Sequence, residues 1–148
     1  MTRSEKALEY FNNGFNCSQS VIISFSDILE IEEEKALRIA AGFGGGMGGM
    51  QETCGAVTGS IMVIGFLKGK YKDGDDDSKD LTNELIKEFT RKFIDRYKSI
   101  NCKKLIDVDL STKEGKDKAV EEDVFAKKCT TFINHAVELL EEILIVNK

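Results

Sequence analysis

The chain has 148 residues, of which 41% are hydrophobic and 8% aromatic, and its formal net charge is −5. This length supports one hydrophobic core, so we expect a single four-cysteine helical domain spanning residues 1–148. The acidic balance excludes nucleic acid and anionic membranes as expected partners, because both require clustered cations. Small molecules, other proteins or a second copy of the chain remain as candidate partners.

The first eight residues, Met-Thr-Arg-Ser-Glu-Lys-Ala-Leu, are charged and lack the apolar segment of a secretory signal. We therefore expect a cytoplasmic protein. In a reducing compartment, an even number of cysteines indicates redox or metal chemistry more than permanent disulfides. The most apolar stretch runs from Cys54 to Leu67 and is shorter than the roughly 20 residues that cross a bilayer, so it predicts a buried helix and no membrane insertion.

The chain contains no proline, and no stretch alternates like a strand without fitting a helix equally well. The sequence therefore predicts an all-α fold, a compact bundle of about six or seven helices with a glycine-rich loop before the central buried helix. In chain order, the predicted helices are Ser4–Asn12, one opening at Asn16, Glu32–Ala41, Cys54–Leu67, Leu81–Lys98, a short helix restarting at Asn101, and a long final helix. A polar linker is predicted over Gly69–Lys79, and a charged loop over Asp107–Lys116.

The glycine-rich stretch, Gly42–Met50, holds six of the 13 glycines and predicts a loop of unusual backbone freedom. Its backbone amides are candidates for cradling an anion or a cofactor beside a helix start. The alternative is a flexible connector that permits close helix packing. Two further glycines lie four apart in the following helix, a spacing that lets another helix approach its backbone. The candidate cofactor-binding residues are Gly48, Gly49, Gly55 and Gly59.

Three of the four cysteines directly follow a residue type that caps helices: Asn16-Cys17, Thr53-Cys54 and Asn101-Cys102. A thiol at the first helical position lies in the positive end of the helix dipole, which favours the reactive thiolate. Two neighbouring lysines, Lys103 and Lys104, should favour the thiolate of Cys102 further. The fourth, Cys129, lies on an apolar stripe of the final helix.

Each cysteine thus falls on the inner face of a different helical segment, and we expect the four sulfurs to converge in one electropositive pocket. Their wide separation matches none of the compact Cys-x-x-Cys patterns of zinc ribbons, ferredoxins or thioredoxins. Four unrelated buried thiols are the alternative, because cysteine is a common small core residue.

The residues also carry a resemblance. Asn-Cys-Ser-Gln-Ser-Val from Asn16, the glycine-rich approach, Cys-Gly-Ala-Val-Thr-Gly from Cys54, and then Cys102 and Cys129 resemble a family of small redox-active proteins named for its C_GCAxxG_C_C cysteine pattern. The resemblance covers nearly the whole chain. It implies a redox role in which Cys17, Cys54, Cys102 and Cys129 are the functional set.

Two hypotheses follow. In the first, the protein is a thiol-dependent oxidoreductase in which Cys54 attacks a disulfide and Cys17, Cys102 or Cys129 resolves the mixed disulfide, with a redox protein or a small-molecule electron acceptor as partner. In the second, the same four sulfurs are ligands of an iron–sulfur cluster or a zinc ion, and the protein turns over no substrate of its own. The single histidine, His135, lies about 240° around the helix from Cys129 and is expected to have a structural role.

Overall fold

The computed structural model describes residues 1–146. Within this part of the chain the fold is all-α, as predicted, and the only extended pairing is an isolated bridge. The α-helices, in chain order, are α1 (Arg3–Asn12), α2 (Cys17–Ser24), α3 (Ser26–Leu29), α4 (Glu33–Ala40), α5 (Gly55–Lys68), α6 (Asp76–Tyr97), α7 (Cys102–Ile106), α8 (Lys113–Glu121) and α9 (Thr130–Glu141). A short 3₁₀ turn, Ala41–Phe43, follows α4, and two π-helical turns, Phe125–Cys129 and Glu142–Val146, flank α9.

The predicted central helix is confirmed as α5. It packs against α2, α6 and α9, and most of its first ten residues are buried. No helix among residues 1–146 is both long and apolar enough to span a bilayer.

Two predicted boundaries are wrong. The acidic linker is shorter than Gly69–Lys79, because α6 begins at Asp76, where the Asp75 carboxylate accepts a hydrogen bond from the Ser78 amide at 3.1 Å. Acidic residues are favoured in a first helical turn, so this acidic run starts the helix instead of delaying it.

The second wrong boundary is the end of the predicted Asp107–Lys116 loop. Residues from Lys113 form the separate helix α8, which Thr112 caps through a hydrogen bond to the Gly115 amide. The chain then reverses at Asp123, whose φ of 51° is left-handed, before the C-terminal helical segment begins. The long predicted final helix is therefore two helices.

The glycines of α5 permit an unusually close contact with the start of α2. A Cβ added at Gly59 would lie 2.8 Å from the Ser18 carbonyl oxygen, and one added at Gly55 would lie 2.9 Å from the Cys17 Cβ. Both distances are shorter than real Cβ contacts. Close helix approach, one of the two roles considered for these glycines, is confirmed.

We expect Gly59→Ala to lower the free energy of unfolding by about 1–3 kcal/mol, because α2 and α5 must move apart to admit the methyl group. Urea denaturation measures this change. Gly65→Ala is the matched control in the same helix, because a Cβ there meets nothing within 4 Å; its stability should be unchanged or higher by up to about 1 kcal/mol. Equal destabilisation by both variants would contradict the close-packing role of Gly59.

Candidate functional site

Two of the cysteines begin helices as predicted. Asn16 caps α2: its side-chain oxygen accepts from the Gln19 amide at 2.8 Å, and the Gln19 side chain accepts from the Asn16 amide at 3.0 Å. This reciprocal capping box leaves Cys17 as the first residue of α2. Cys102 similarly begins α7, behind Asn101.

Cys54 differs from the prediction. The helix α5 begins one residue later, at Gly55, so Cys54 is itself the capping residue and Thr53 is not. The reason is that Thr53 is held in the isolated antiparallel bridge with Asn101. The Cys54 amide donates to the Ile100 carbonyl at 2.7 Å, and this is one of the two backbone hydrogen bonds that form the bridge.

The second of these bonds joins Cys102 to the end of the glycine-rich loop: the Cys102 amide donates to the Glu52 carbonyl at 2.6 Å. The bridge therefore brings together two cysteines that are far apart in the sequence. No side-chain pattern in the sequence predicts the bridge, because backbone groups form it.

The glycine-rich loop adopts a left-handed turn, with φ between 60° and 74° at Gly45, Gly46, Met47, Gly48 and Gly49. Glycine suits this conformation because it has no Cβ. The amides of residues 47–52 all donate to carbonyl groups inside the loop. They are thus used by the loop itself, including those of Gly48 and Gly49.

Gly46 carries a further constraint. A Cβ at this position would lie 2.8 Å from the Cys102 Cβ and 2.6 Å from the Glu52 amide nitrogen. The loop backbone therefore packs directly on the start of α7.

Sequence reasoning missed Gln51, which is buried. Its side-chain amide donates to the Val108 carbonyl at 2.8 Å, and its side-chain oxygen accepts from the Leu110 amide at 2.7 Å. Gln51 thereby fixes the segment after α7, and Leu110 forms part of the cavity wall. The only signal in the sequence is a glutamine beside a glycine run, which is not specific.

All four cysteines line one cavity of about 310 Å³, and the predicted convergence is confirmed. Gly55 also lines it, whereas Gly48, Gly49 and Gly59 do not. The remaining lining residues are mostly apolar: Phe11, Gly14, Phe15, Asn16, Gly45, Gly46, Leu105, Ile106, Leu110, Phe125 and Phe132.

The expected electropositive character of this pocket does not come from charged side chains in its wall. Among the described residues, no lysine, arginine or histidine lines the cavity, and Lys103 extends instead to Asp109, with its Nζ 3.2 Å from the carboxylate. Burial raises the pKa of Cys54 to about 12 and that of Cys102 to about 11. The amides of Ala56 and Val57 lower the pKa of Cys54, but burial outweighs them.

One pair of cysteines interacts directly, and the pKa of one member of that pair is lowered. Cys17 and Cys129 form a side-chain hydrogen bond, which raises the pKa of Cys17, already raised by burial, and lowers the pKa of Cys129. Burial opposes the shift at Cys129, and the positive charge of Lys128 supports it. Cys129 is thus the cysteine whose pKa is lowered, so electrostatics favours a thiolate at Cys129 over one at Cys54.

Local structure places Lys128 where it can act. Cys129 ends the π-helical turn that precedes α9, and Lys128 is its neighbour. The Lys128 ammonium donates to the Ile106 carbonyl at 3.2 Å, at the end of α7. A π-helical turn is rare and often occurs at functional sites.

Four cysteine thiols are chemically suitable ligands for zinc or an iron–sulfur cluster. Among residues 1–146, however, no three side chains of the ligand types His, Cys, Asp and Glu are grouped closely enough to hold a metal ion. This arrangement of the described residues does not fit a metal centre.

His135 lies outside the cysteine cavity. Its ring packs against Tyr97, with centroids 5.2 Å apart, and against Phe93 at 6.2 Å. Burial and the charge of Arg96 lower its pKa. This environment agrees with the structural role expected from the sequence.

Comparison with known proteins identifies the family of this chain. The chain belongs to the C_GCAxxG_C_C family, described as "Putative redox-active protein", whose sequence model matches residues 15–143. In this chain the central element begins Cys54-Gly55-Ala56, with cysteine ahead of glycine, whereas the family name writes glycine first. An "Uncharacterized protein" of Archaeoglobus fulgidus is 28% identical over 154 residues, which cover 94% of this chain and 93% of that relative. No solved structure matches the chain significantly.

The order of thiol acidities can be measured by alkylation, because only the thiolate reacts and the rate rises as the pH passes the pKa. We expect Cys129 to reach half its maximal alkylation rate below the ordinary pKa of a thiol. Alkylation of Cys54 and Cys102 should still be rising at the alkaline end of the range in which the circular dichroism spectrum is unchanged. Peptide mass spectrometry after iodoacetamide treatment resolves the sites, and the lowest midpoint at Cys54 would contradict the assignment.

Lys128→Gln should move the alkylation midpoint of Cys129 to higher pH, because the variant removes a positive charge that favours the thiolate. The glutamine side chain can still donate to the Ile106 carbonyl. Lys127→Gln is the matched control, with the same loss of charge on the neighbouring exposed residue. An equal shift in both variants would assign the effect to net charge instead of to Lys128.

Proposed function

We propose that this protein carries out thiol–disulfide exchange with Cys17 and Cys129 as the reacting pair. The observation that supports this proposal is that these two thiols line the same four-cysteine cavity, where their side-chain interaction raises the pKa of Cys17 and lowers that of Cys129. The contact does two things at once: it stabilises the thiolate of Cys129, and it places a second sulfur beside the first. Cys129 is the attacking residue in this proposal and Cys17 the resolving residue.

The reaction follows the general chemistry of exchange. The Cys129 thiolate attacks one sulfur of a substrate disulfide, a Cys129–substrate disulfide forms, and the other substrate sulfur leaves as a thiolate that takes up a proton. Cys17 then loses its proton, and its thiolate attacks the Cys129 sulfur. The Cys17–Cys129 disulfide forms and the second substrate sulfur leaves, also to be protonated. Two protein thiols are oxidised, and one substrate disulfide is reduced to two thiols.

The hydrogen bond also orders the two steps. While Cys129 is a thiolate, Cys17 is held as the protonated donor, so the two sulfurs do not compete for the substrate. Once Cys129 is in a mixed disulfide it carries no charge. The electrostatic cause that raises the pKa of Cys17 is then removed, which favours its deprotonation for the second attack.

Cys54 and Cys102 have a different place in the proposal. Burial keeps both protonated near neutral pH, so neither starts the exchange. They line the same cavity and supply two further uncharged sulfur surfaces to the bound substrate.

A Cys17→Ser variant tests the pair. Serine keeps a hydroxyl that can donate to Cys129 but cannot resolve a mixed disulfide. With dipyridyl disulfide as the probe, we expect one pyridylthiol to be released and the other to remain on Cys129, with a lifetime at least about tenfold longer than in the unmodified protein. Intact-mass and peptide mass spectrometry identify the adduct.

Cys54→Ser is the matched control: the adduct at Cys129 should be resolved as in the unmodified protein, with a Cys17–Cys129 disulfide as the product. Trapping by Cys54→Ser but not by Cys17→Ser would overturn the pair. Metal analysis of anaerobically purified protein tests the alternative: stoichiometric iron or zinc that is lost in each of the four cysteine variants would replace exchange by a ligand role.

A further inference from the structure

The cysteine cavity is almost free of polar groups other than sulfur. Of the residues that the structure describes, no charged side chain lines it, and Asn16 supplies its only polar side chain apart from the cysteines. Asn16 is already occupied: its oxygen accepts from the Gln19 amide, and its nitrogen donates to the Ala41 carbonyl at 3.0 Å. In the adjoining loop, the amides of residues 47–52 donate to carbonyl groups of the loop itself.

This lining has a consequence for ligand charge. A carboxylate or an ammonium group that entered the cavity would lose its hydration and would find no side chain of opposite charge among the described residues. An apolar group would replace water against Phe11, Phe15 and Phe132 and gain free energy by burial. The cavity therefore discriminates by charge.

The depth of the attacking sulfur limits the size of the ligand. Cys129 is only 8% exposed, so a disulfide held on the surface of a folded protein does not reach its sulfur without rearrangement. A volume of about 310 Å³ is at the small end of the range for ligand cavities. A small molecule fits these limits better than a protein does.

The way in is formed by exposed residues at the cavity edge. Gly14 and Gly45 are exposed and present no side chain there, and Phe125 is 42% exposed. Phe125 lies on the same π-helical turn as Cys129. Phe125 therefore stands at the edge of the cavity, close in the chain to the sulfur that lies inside it.

From this lining, depth and size, we propose that the disulfide attacked by Cys129 belongs to an uncharged, largely apolar small molecule. The proposal rests on the exchange function proposed above and adds the substrate class. The exchange is balanced as before: the small disulfide takes up two electrons and two protons, leaves as two neutral thiols, and Cys17 and Cys129 are oxidised to a disulfide.

Two probes with the same reacting group test the charge selectivity. Dipyridyl disulfide is neutral, and dithiodinicotinate is the same pyridyl disulfide with a carboxylate on each ring. The rate of adduct formation at Cys129 is measured for each by stopped-flow absorbance, with the site confirmed by mass spectrometry. Each rate is divided by the rate of the same probe with the urea-unfolded chain, which removes the intrinsic difference in reactivity.

After this correction we expect the neutral probe to react at least about tenfold faster than the dianion, because only the dianion must lose its hydration without compensation. The ratio should persist at high salt. The protein carries a net charge of −5, and long-range repulsion from that charge is screened by salt, whereas exclusion from a buried cavity is not. A corrected ratio within about twofold of unity, or a preference that disappears with salt, would overturn the proposal.

Phe125→Lys provides the variant, because it introduces a cation at the cavity edge at a position exposed enough to accept it. The dianion should gain at least about fivefold relative to the neutral probe. Val120→Lys is the control, since it makes the same charge change at a residue that is 78% exposed and outside the cavity, and it should leave the ratio unchanged. An equal change in both variants would count against the cavity as the source of selectivity.

These measurements distinguish a failure of the substrate-class proposal from a failure of the exchange proposal. Selectivity is measured on the first attack at Cys129, whereas the exchange function depends on its resolution by Cys17. Selective adduct formation without a Cys17–Cys129 disulfide would leave the cavity inference standing and end the exchange proposal. Disulfide formation at equal corrected rates with both probes would do the reverse.

Discussion

The contact on which the site depends is the backbone approach of α5 to the start of α2. It is possible because Gly55 and Gly59 present no side chain to Cys17 and Ser18. A Cβ at either glycine would push the two helix starts apart, and Cys54 would then leave the neighbourhood of Cys17. The requirement for glycine in the Cys-Gly-Ala-x-x-Gly element is therefore steric, and its effect is to gather sulfur atoms. Gly46 has the same steric role, because its lack of a side chain lets the loop backbone pack against Cys102.

Burial then decides which thiol is reactive. The helix dipole and first-turn amides favour a thiolate at Cys54, but their effect is smaller than the cost of placing a charge in an apolar cavity. Only a group that offers a direct hydrogen bond to the sulfur can offset that cost. Cys17 does so for Cys129, and the Lys128 charge adds to the effect. In this site a neighbouring thiol lowers the pKa of a cysteine more than its position on a helix does.

Local sequence signals predicted a large part of this fold. The capping box at Asn16, the central apolar helix and the restart at Asn101 each depend on residues close together in the chain, and each was found as predicted. The convergence of the four cysteines was also predicted, from the inward face that each occupies. These features share a simple origin in helix periodicity and capping.

The features that the sequence did not predict involve contacts between residues far apart in the chain, or depend on how deeply a group is buried. Because of the backbone bridge between Thr53 and Asn101, α5 starts one residue later than predicted, and no side-chain pattern indicates this bridge. The Gln51 contacts join the loop to a segment almost 60 residues later. The pKa order required the depth of each sulfur, which no local pattern encodes. For this reason the sequence favours a thiolate at Cys54, whereas in the structure the pKa is lowered at Cys129 and raised at Cys54.

The balance between burial and direct interaction with a neighbouring thiol also limits the extent of the proposed exchange. In the exchange proposed above, Cys17 stabilises the thiolate of Cys129, so the formation of a disulfide between them would consume both the nucleophile and its activator. Cys54 and Cys102 remain in the cavity, and burial keeps them protonated near neutral pH. Such a site would be oxidised by two electrons and no further, although four sulfurs are present. The apolar surroundings that make the pair dependent on its own interaction would also hold the remaining two thiols in their unreactive, protonated form.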